Sequence, residues 1–456
     1  MNAKEYVESV IEHVKAKNPA EPEFHQAVTE VLHTLVPVLE KEPKYMKNKI
    51  LERITEPERV IMFRVTWEDD NGEIQVNKGF RVEFNSAIGP YKGGLRFHPT
   101  VTLGTLKFLG FEQIFKNALT GIPMGGGKGG SDFDPHGKSD AEVRRFCENF
   151  MMELYRHIGP NTDIPAGDIG VGGREIGYLF GAYKKIVDRW EGVLTGKGLN
   201  WGGSLIRPEA TGYGATYYLM EMLKHFKGKN DLKGYNVAIS GSGNVAQFAS
   251  KKVTELGGKV VTLSDSKGTM YLPDGINDEI WNAVYETKAI KHGRLQEVAE
   301  KFDLPWFAGK KAWEVAAKEA GEVHVAFPSA TQNEINLDDA KILTNAGLIA
   351  VVEGANMPST LDAINHYYEN DVLFGPAKAA NAGGVAVSGL EMSQNAQFTY
   401  WTAEEVDNKL HNIMVNIFNT GKKYAEKFGE PKNLLLGSNI GAFVKVADSM
   451  IDQGIY

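Results

Sequence analysis

Residues 235–246 read Tyr235-Asn236-Val237-Ala238-Ile239-Ser240-Gly241-Ser242-Gly243-Asn244-Val245-Ala246, and the reading of this stretch decides the fold. A short apolar, β-prone run enters a glycine-bearing turn, and a helical pattern through Phe248 and Ala249 leaves it. Gly241 permits a tight turn, Gly243 lets the backbone approach a pyrophosphate, and Ala246 is small enough for helix and strand to pack closely. The helix start then offers free N–H groups and a positive dipole end to phosphate. A glycine fingerprint alone is weak, since a plain strand-to-helix turn looks the same. Here the strand precedes it, the helix follows it, and Asp265 comes after the next strand at the expected spacing. The stretch therefore reads as a dinucleotide site, with Gly241, Ser242, Gly243, Asn244 and Val245 at the phosphates. Asp265 in that position suits a ribose 2′-hydroxyl, which favours NAD, whereas Ser266 and Lys267 beside it can hold a 2′-phosphate, which favours NADP.

The pattern extends outward from that strand. Val260-Val261-Thr262-Leu263, Val323-His324-Val325-Ala326 and Leu348-Ile349-Ala350-Val351-Val352 are β-branched runs separated by helical stretches, which predicts a parallel, doubly wound sheet. Upstream, Val7, Val10, Ile11 and Val14 share one helical face, and Val28, Val31, Leu32 and Leu35 another. A hairpin is predicted from the run Val60–Trp67, the turn Asp70-Asn71-Gly72 and the alternation from Ile74 to Phe84. Glycine-rich stretches at 89–94, 121–130 and 167–173 are predicted to be loops gathered at one edge of an α/β domain. Near the end, Ile440, Phe443, Val444, Ala447 and Ile451 mark an amphipathic helix.

Bulk properties bound the function. With 456 residues, 42% of them hydrophobic and 24% charged, the chain is expected to form two globular domains. A formal charge of −8 disfavours nucleic acid or an anionic membrane as the default partner. No apolar run is read as long enough to span a bilayer, and the N-terminus shows no secretory signal, so the expected location is cytoplasmic. Cys147 is the only cysteine, which excludes an intrachain disulfide and a cysteine metal cluster; no metal site is expected. It sits in a helix-like stretch without a neighbouring histidine and reads as a packed thiol.

The chemistry is carried by lysines among glycines. The stretch 121–130, ending Gly125-Gly126-Gly127-Lys128-Gly129-Gly130, first suggests a phosphate loop, but Ile122 stands where the first glycine belongs and Gly129 replaces the Ser/Thr. Lys128 is better read as an amine brought close to a substrate along a backbone without side chains. A helix over Leu106–Leu119 puts Gln113 and Lys116 three apart on one face, where both can reach a carboxylate; an ordinary Glu112–Lys116 surface pair is the plainer alternative. Lys92 is backed by Gly93 and Gly94. Asp168, in Pro165-Ala166-Gly167-Asp168, is a general acid/base candidate or else a helix cap.

Taken together, Pro90–Phe97, Leu109–Asn117, Pro123–Gly130, Pro165–Asp168, Arg207–Gly212, Glu353–Pro358 and Ser388–Met392 resemble, in order and over nearly the whole chain, the signature of the glutamate dehydrogenases of the Glu/Leu/Phe/Val dehydrogenase family, in their shorter microbial form. The resemblance implies reversible oxidative deamination of L-glutamate to 2-oxoglutarate and ammonium, in a homohexamer. It puts Lys92 and Ser388 on the side-chain carboxylate and Gln113 and Lys116 on the α-carboxylate. It makes Lys128 and Asp168 catalytic, the first polarising the carbonyl or imine and the second moving protons. In the cofactor domain it places Thr211 and Asn381 near the nicotinamide and Asn356 near its ribose. Ser264-Asp265-Ser266, with Lys288 and Lys291 downstream, is similar to NADP-using relatives; NADP is therefore expected, with NAD or dual use as the alternative. Ser329 stands where relatives often carry cysteine. The expected domains are 1–200 for substrate binding and oligomerisation, an α/β unit with a mixed sheet, and 201–428 for the dinucleotide, Rossmann-like, with 429–456 returning to the first. Two rivals are a branched-chain or aromatic amino-acid dehydrogenase, which needs an apolar pocket in place of a cationic Lys92, and a non-catalytic nucleotide-sensing module.

Overall fold

The computed structural model describes residues 2–455 and divides into two compact units. The first comprises Met1–Arg207, Val385–Val406 and Asn439–Tyr456; the second comprises Pro208–Gly384 and Asp407–Ser438. The chain thus rejoins the first unit twice, where the sequence suggested a single return at residue 429. The earlier return lies inside one helix, Gly383–Gln397, so no loop or composition change marks it.

The first unit is built on a mixed five-stranded sheet, in the order β1-β2-β4-β3-β5. Its strands are β1 (Arg59–Glu68), β2 (Ile74–Asn85), β3 (Tyr91–Phe97), β4 (Gly126–Ser131) and β5 (Asp163–Gly167). β1 and β2 form the expected hairpin. The Asp69 carboxylate closes its turn, accepting from the amides of Asn71 at 2.9 Å and Glu73 at 3.0 Å. β3 runs parallel to β4 and β5, while β2 meets β4 antiparallel.

Two of the three stretches expected as loops are largely strand: β3 takes up 91–94 of the first and β4 takes up 126–130 of the second, whereas 168–172 is the expected loop between β5 and the helix that opens at Gly173. β3, β4 and β5 lie within the glycine-rich segments or directly beside them, and every residue of β4 is buried. Glycine weakens the strand pattern in a sequence, but here it is what allows the approach. A Cβ on Gly93 would lie 1.7 Å from the Gly127 carbonyl oxygen, and one on Gly126 would lie 2.6 Å from Ile114 in the helix Leu103–Leu119. The glycines therefore let that helix sit directly on the sheet. On the other side, Trp67, Phe97, Phe133, Phe146 and Phe150 form a buried aromatic cluster around Cys147, whose thiol burial holds protonated.

The second unit holds a seven-stranded sheet, in the order β12-β11-β10-β6-β7-β8-β9. Its strands are β6 (Asn236–Ile239), β7 (Lys259–Asp265), β8 (Gly268–Tyr271), β9 (Trp306–Ala308), β10 (Val325–Phe327), β11 (Ala350–Val352) and β12 (Leu373–Gly375). β12 to β7 are parallel and the helices alternate with them, as the sequence suggests. β8 and β9 are antiparallel additions, which makes this sheet mixed too. The cause is the tight turn at Asp265–Gly268, which folds β8 straight back on β7 in place of a helical crossover.

Two helices at the ends of the chain follow their patterns closely. Val7, Val10, Ile11 and Val14 are buried in Ala3–Lys17, which Asn2 caps through a reciprocal bond pair with Glu5. The helix Leu434–Asp452 is, by length and a mean hydropathy of 1.3, apolar enough to cross a bilayer, contrary to the sequence expectation. Ile440, Phe443, Val446 and Ala447 are buried within the fold, so its apolar composition is accounted for by packing. The close approach of β3 to β4 gives a direct prediction. Gly93→Ala inserts a methyl group where backbone stands, and should cost about 3 kcal/mol or more, read as a fall in the thermal midpoint; an unchanged midpoint would contradict this packing.

Candidate active site

In the first unit β3 carries Lys92, β4 carries Lys128, and Asp168 directly follows β5. Lys92, on β3, is fully buried; its ammonium donates to the Ile164 carbonyl oxygen at 3.0 Å and to Thr195 Oγ1 at 2.7 Å. Among the described residues no carboxylate forms an ion pair with it. Burial pushes its pKa far down, Glu391 opposes that fall, and the charges of Arg81, Arg207 and Lys197 deepen it. Beneath it, Arg81 grips Asp163 with two bonds, at 2.7 and 2.5 Å, and donates to the Gly93 carbonyl oxygen at 3.0 Å. Both partners are inaccessible to solvent, and Arg81 thereby ties β2 to β5 through Asp163 and to β3, the strand of Lys92, through Gly93.

The helix Leu103–Leu119, capped by Thr102, presents Gln113 and Lys116. Gln113 donates to Asn117 Oδ1 at 2.7 Å, and Asn117 in turn donates to the Lys92 and Gly125 carbonyl oxygens at 3.0 and 2.5 Å. Asn117, unremarked in the sequence, ties this helix to β3. Burial, and then the Lys128 charge, push the Lys116 ammonium down to about 8.

Lys128 stands on β4 with its ammonium 3.2 Å from Asp168 Oδ2. Burial lowers its pKa and Asp168 opposes the fall. Burial alone would raise the Asp168 pKa, but Lys128 and Arg96 outweigh it and hold the carboxylate below its usual range. Asp168 caps no helix, because the next one begins at Gly173 with Gly172 as its cap. Its second partner is Arg96, at 2.8 Å, a residue the sequence reading passed over because 72 positions separate the two. Ser388, almost completely buried, lies on the helix Gly383–Gln397.

In the second unit, Gly241 takes a φ of +82° at the turn after β6, and its amide donates to Ser264 Oγ at 2.9 Å. Gly243 caps the helix Asn244–Glu255, and a Cβ there would meet nothing within 4 Å. Packing within the chain does not require that glycine; an incoming backbone-hugging ligand does. Thr211 lies in the first turn of the helix Ala210–Lys227. Asn381 donates to the Ala355 carbonyl oxygen at 3.0 Å and to Asn356 Oδ1 at 3.1 Å, while its own buried Oδ1 has no partner. An orphaned acceptor of this kind fits a carboxamide N–H of a nicotinamide.

Asp265, expected to bond a ribose 2′-hydroxyl, is also tied to the backbone around it. Both its oxygens are engaged, Oδ1 by the Lys267 amide at 2.8 Å and Oδ2 by the Leu295 amide at 3.0 Å. Lys288 approaches Oδ2 to 4.0 Å, and the Arg294 guanidinium donates to Ser266 Oγ at 3.4 Å. Lys291 is elsewhere, paired with Glu286 at 2.8 Å. The position beside Ser266 is therefore cationic, and Arg294 is its unforeseen member. Ser329, in the place where cysteine was noted, accepts nothing unusual: its amide donates to Ser240 Oγ at 2.9 Å and its hydroxyl to the Phe327 carbonyl oxygen at 3.2 Å.

These two sites belong to one class of enzyme. The chain belongs to the Glu/Leu/Phe/Val dehydrogenase family: residues 202–454 match the family model described as Glutamate/Leucine/Phenylalanine/Valine dehydrogenase, and residues 57–185 match Glu/Leu/Phe/Val dehydrogenase, dimerisation domain. Within the family it is similar to the NADP-specific glutamate dehydrogenases of Giardia intestinalis, 57% identical over 98% of both chains, and of Haemophilus influenzae, 57% identical over 97% of both. Among solved structures it is similar to glutamate dehydrogenase of Plasmodium falciparum, with a TM-score of 0.96 at 53% identity, over all of this chain and 96% of that one.

The lysine cluster itself generates a test. In NMR spectra of labelled lysine side chains, Lys116 should titrate with a midpoint near pH 8. Lys128→Met removes a like charge and should move that midpoint upward; a downward or absent shift would contradict the coupling.

Proposed function

We propose that this chain catalyses the reversible oxidative deamination of L-glutamate to 2-oxoglutarate and ammonium with NADP, acting on the CH–NH2 group. One observation carries the choice of substrate: the buried Lys92 ammonium, which has neutral oxygens for partners and no carboxylate of its own. Such a charge is costly unless a ligand supplies the anion. A dicarboxylate does so, and the aliphatic or aromatic side chains handled by other branches of the family do not.

The residue roles follow from that anchor. Lys92 and Ser388 hold the distal carboxylate, and Gln113 with Lys116 holds the α-carboxylate. Fixing both ends holds the α-carbon in a single orientation. When bound, NADP+ takes the α-hydrogen together with its electron pair. Lys128, with its pKa lowered, has a neutral fraction that takes a proton from the water attacking the imine and, once protonated, polarises the carbonyl. Asp168, which bonds both Lys128 and Arg96, passes protons to and from the departing amine. Water leaves its oxygen in 2-oxoglutarate, and the nitrogen departs as ammonium.

Gly241, Ser242, Gly243, Asn244 and Val245 present the turn and helix N-terminus to the pyrophosphate, and Thr211, Asn356 and Asn381 serve the nicotinamide end. Ser266, Lys288 and Arg294 receive the 2′-phosphate, with Asp265 as the strut that positions them through the Lys267 and Leu295 amides. The same reading includes assembly as a cytoplasmic homohexamer. Its support is the dimerisation-domain match and the apolar residues exposed on the edge hairpin, Val60, Met62, Ile74 and Val76.

Mixing the protein with 2-oxoglutarate, ammonium and NADPH should oxidise the nicotinamide rapidly, and Lys128→Ala should abolish turnover while NADPH still binds. Absence of turnover in the parent with either NADPH or NADH would favour a nucleotide-binding module. Arg294→Ala should raise KM for NADPH by about tenfold or more and leave NADH almost unchanged; equal effects on both cofactors would remove Arg294 from the phosphate site.

A further inference from the structure

Glu391 lies on the same helix as Ser388, one turn further on, and it takes no part in the chemistry described above. It is nonetheless inaccessible to solvent and accepts three hydrogen bonds: from the Gly196 amide at 2.9 Å, the Lys197 amide at 3.3 Å and the Lys197 ammonium at 2.9 Å. Lys197 is equally buried and also donates to the Leu194 carbonyl oxygen. The next turn of the helix is fastened to the same loop, Gln394 to Ser204 Oγ at 2.8 Å and Asn395 to the Gly202 carbonyl oxygen at 2.7 Å. That loop begins with Thr195, whose hydroxyl accepts the Lys92 ammonium at 2.7 Å. One short path thus joins Lys92, Thr195, Gly196, Glu391 and Ser388.

The path carries charge as well as geometry. The charged groups that act most strongly on Lys92 are Glu391, Arg81, Arg207 and Lys197, and Arg81 is paired with the buried Asp163. Glu391 is the only anion in that set. An interior helix could be fastened to a loop with apolar contacts at lower desolvation cost. A carboxylate at this position has a further consequence, because it favours the charged form of the lysine that awaits a ligand.

We propose that Glu391 is a positioning residue for the distal-carboxylate pocket: bound by Lys197 and the amides of Gly196 and Lys197, it sets the register of Ser388 against the Thr195–Lys92 contact and supplies the counter-charge of Lys92. The inference rests on the assignment of Lys92 and Ser388 to the distal carboxylate.

Steady-state kinetics against pH tests it, because the two members of the buried pair act on Lys92 with opposite sign. Glu391→Gln removes an anion, so Lys92 should lose its proton at lower pH, and the alkaline rise of KM for 2-oxoglutarate should begin about one pH unit earlier or more. At neutral pH that KM should rise about tenfold, with kcat and the KM values for ammonium and NADPH within about threefold of the parent. Lys197→Met removes a cation and should move the same alkaline rise to higher pH. Both variants break the same buried pair, so a purely structural role would move all parameters together and in the same direction in each. That result, or an unmoved alkaline limb, would overturn the proposal. If Glu391→Gln fails to fold, Lys197→Met carries the test alone with its predicted sign. Lys92→Leu, measured alongside, separates the two readings. If it keeps the preference for 2-oxoglutarate, the pocket assignment itself fails; if it loses that preference while Glu391→Gln and Lys197→Met titrate like the parent, only the role of Glu391 fails.

Discussion

A fully buried ammonium bonded only to neutral oxygens is the constraint on which the rest of the first unit depends. Lys92 cannot be relieved by solvent, and its bonds to Ile164 and Thr195 bring it no carboxylate. The surroundings maintain this condition. Arg81 and Asp163 hold β2 and β5 around β3, Asn117 holds the helix Leu103–Leu119 to it, and Glu391 supplies a distant counter-charge. Several kcal/mol of desolvation stand against such an arrangement in the absence of a ligand. A substrate carboxylate removes that cost on binding, so the pocket selects by charge what an apolar pocket would select by shape.

Proximity of the lysines is the second constraint, and glycine is its means. β3 and β4 run side by side with Gly93 against the Gly127 carbonyl oxygen, and Ile114 rests on Gly126. The glycines of β4 let the helix that carries Lys116 rest directly on the strand that carries Lys128. The Lys128 charge depresses the Lys116 pKa, and Asp168 opposes the fall of both lysines. The lowered pKa of the Lys128 amine follows first from its burial, against which Asp168 acts.

Much of this was legible in the sequence, for reasons that can be traced to particular residues. The strand, turn and helix at 235–246 were readable because their signals are local: a β-prone run, Gly241 at positive φ, and a small Ala246. The amphipathic faces of the first two helices were readable from their period. Two of the glycine-rich stretches, 89–94 and 121–130, were misread as loops, because the sheet around them is held by backbone pairing and close approach, neither of which leaves a side-chain pattern. Arg96, Arg81 and Glu391 escaped notice because their partners lie 72, 82 and 194 residues away. Asp265 was found for a local reason, its place at the end of β7, but its bonds from the Lys267 and Leu295 amides were not foreseen. Arg294, the cation beside Ser266, is set by that same contact and had no local signature.

The second unit shows how small changes beside one strand end choose a cofactor. The parallel core and the Gly241–Val245 turn suit any dinucleotide; the cationic rim beside Ser266 suits the one with an extra phosphate. The most direct test of the whole account lies in the first unit, in the ratio of kcat/KM for 2-oxoglutarate to that for 4-methyl-2-oxopentanoate, a 2-oxo acid of similar length without the distal carboxylate. An unpaired buried ammonium predicts a preference for 2-oxoglutarate of about a hundredfold or more. Comparable values for the two acids would contradict it.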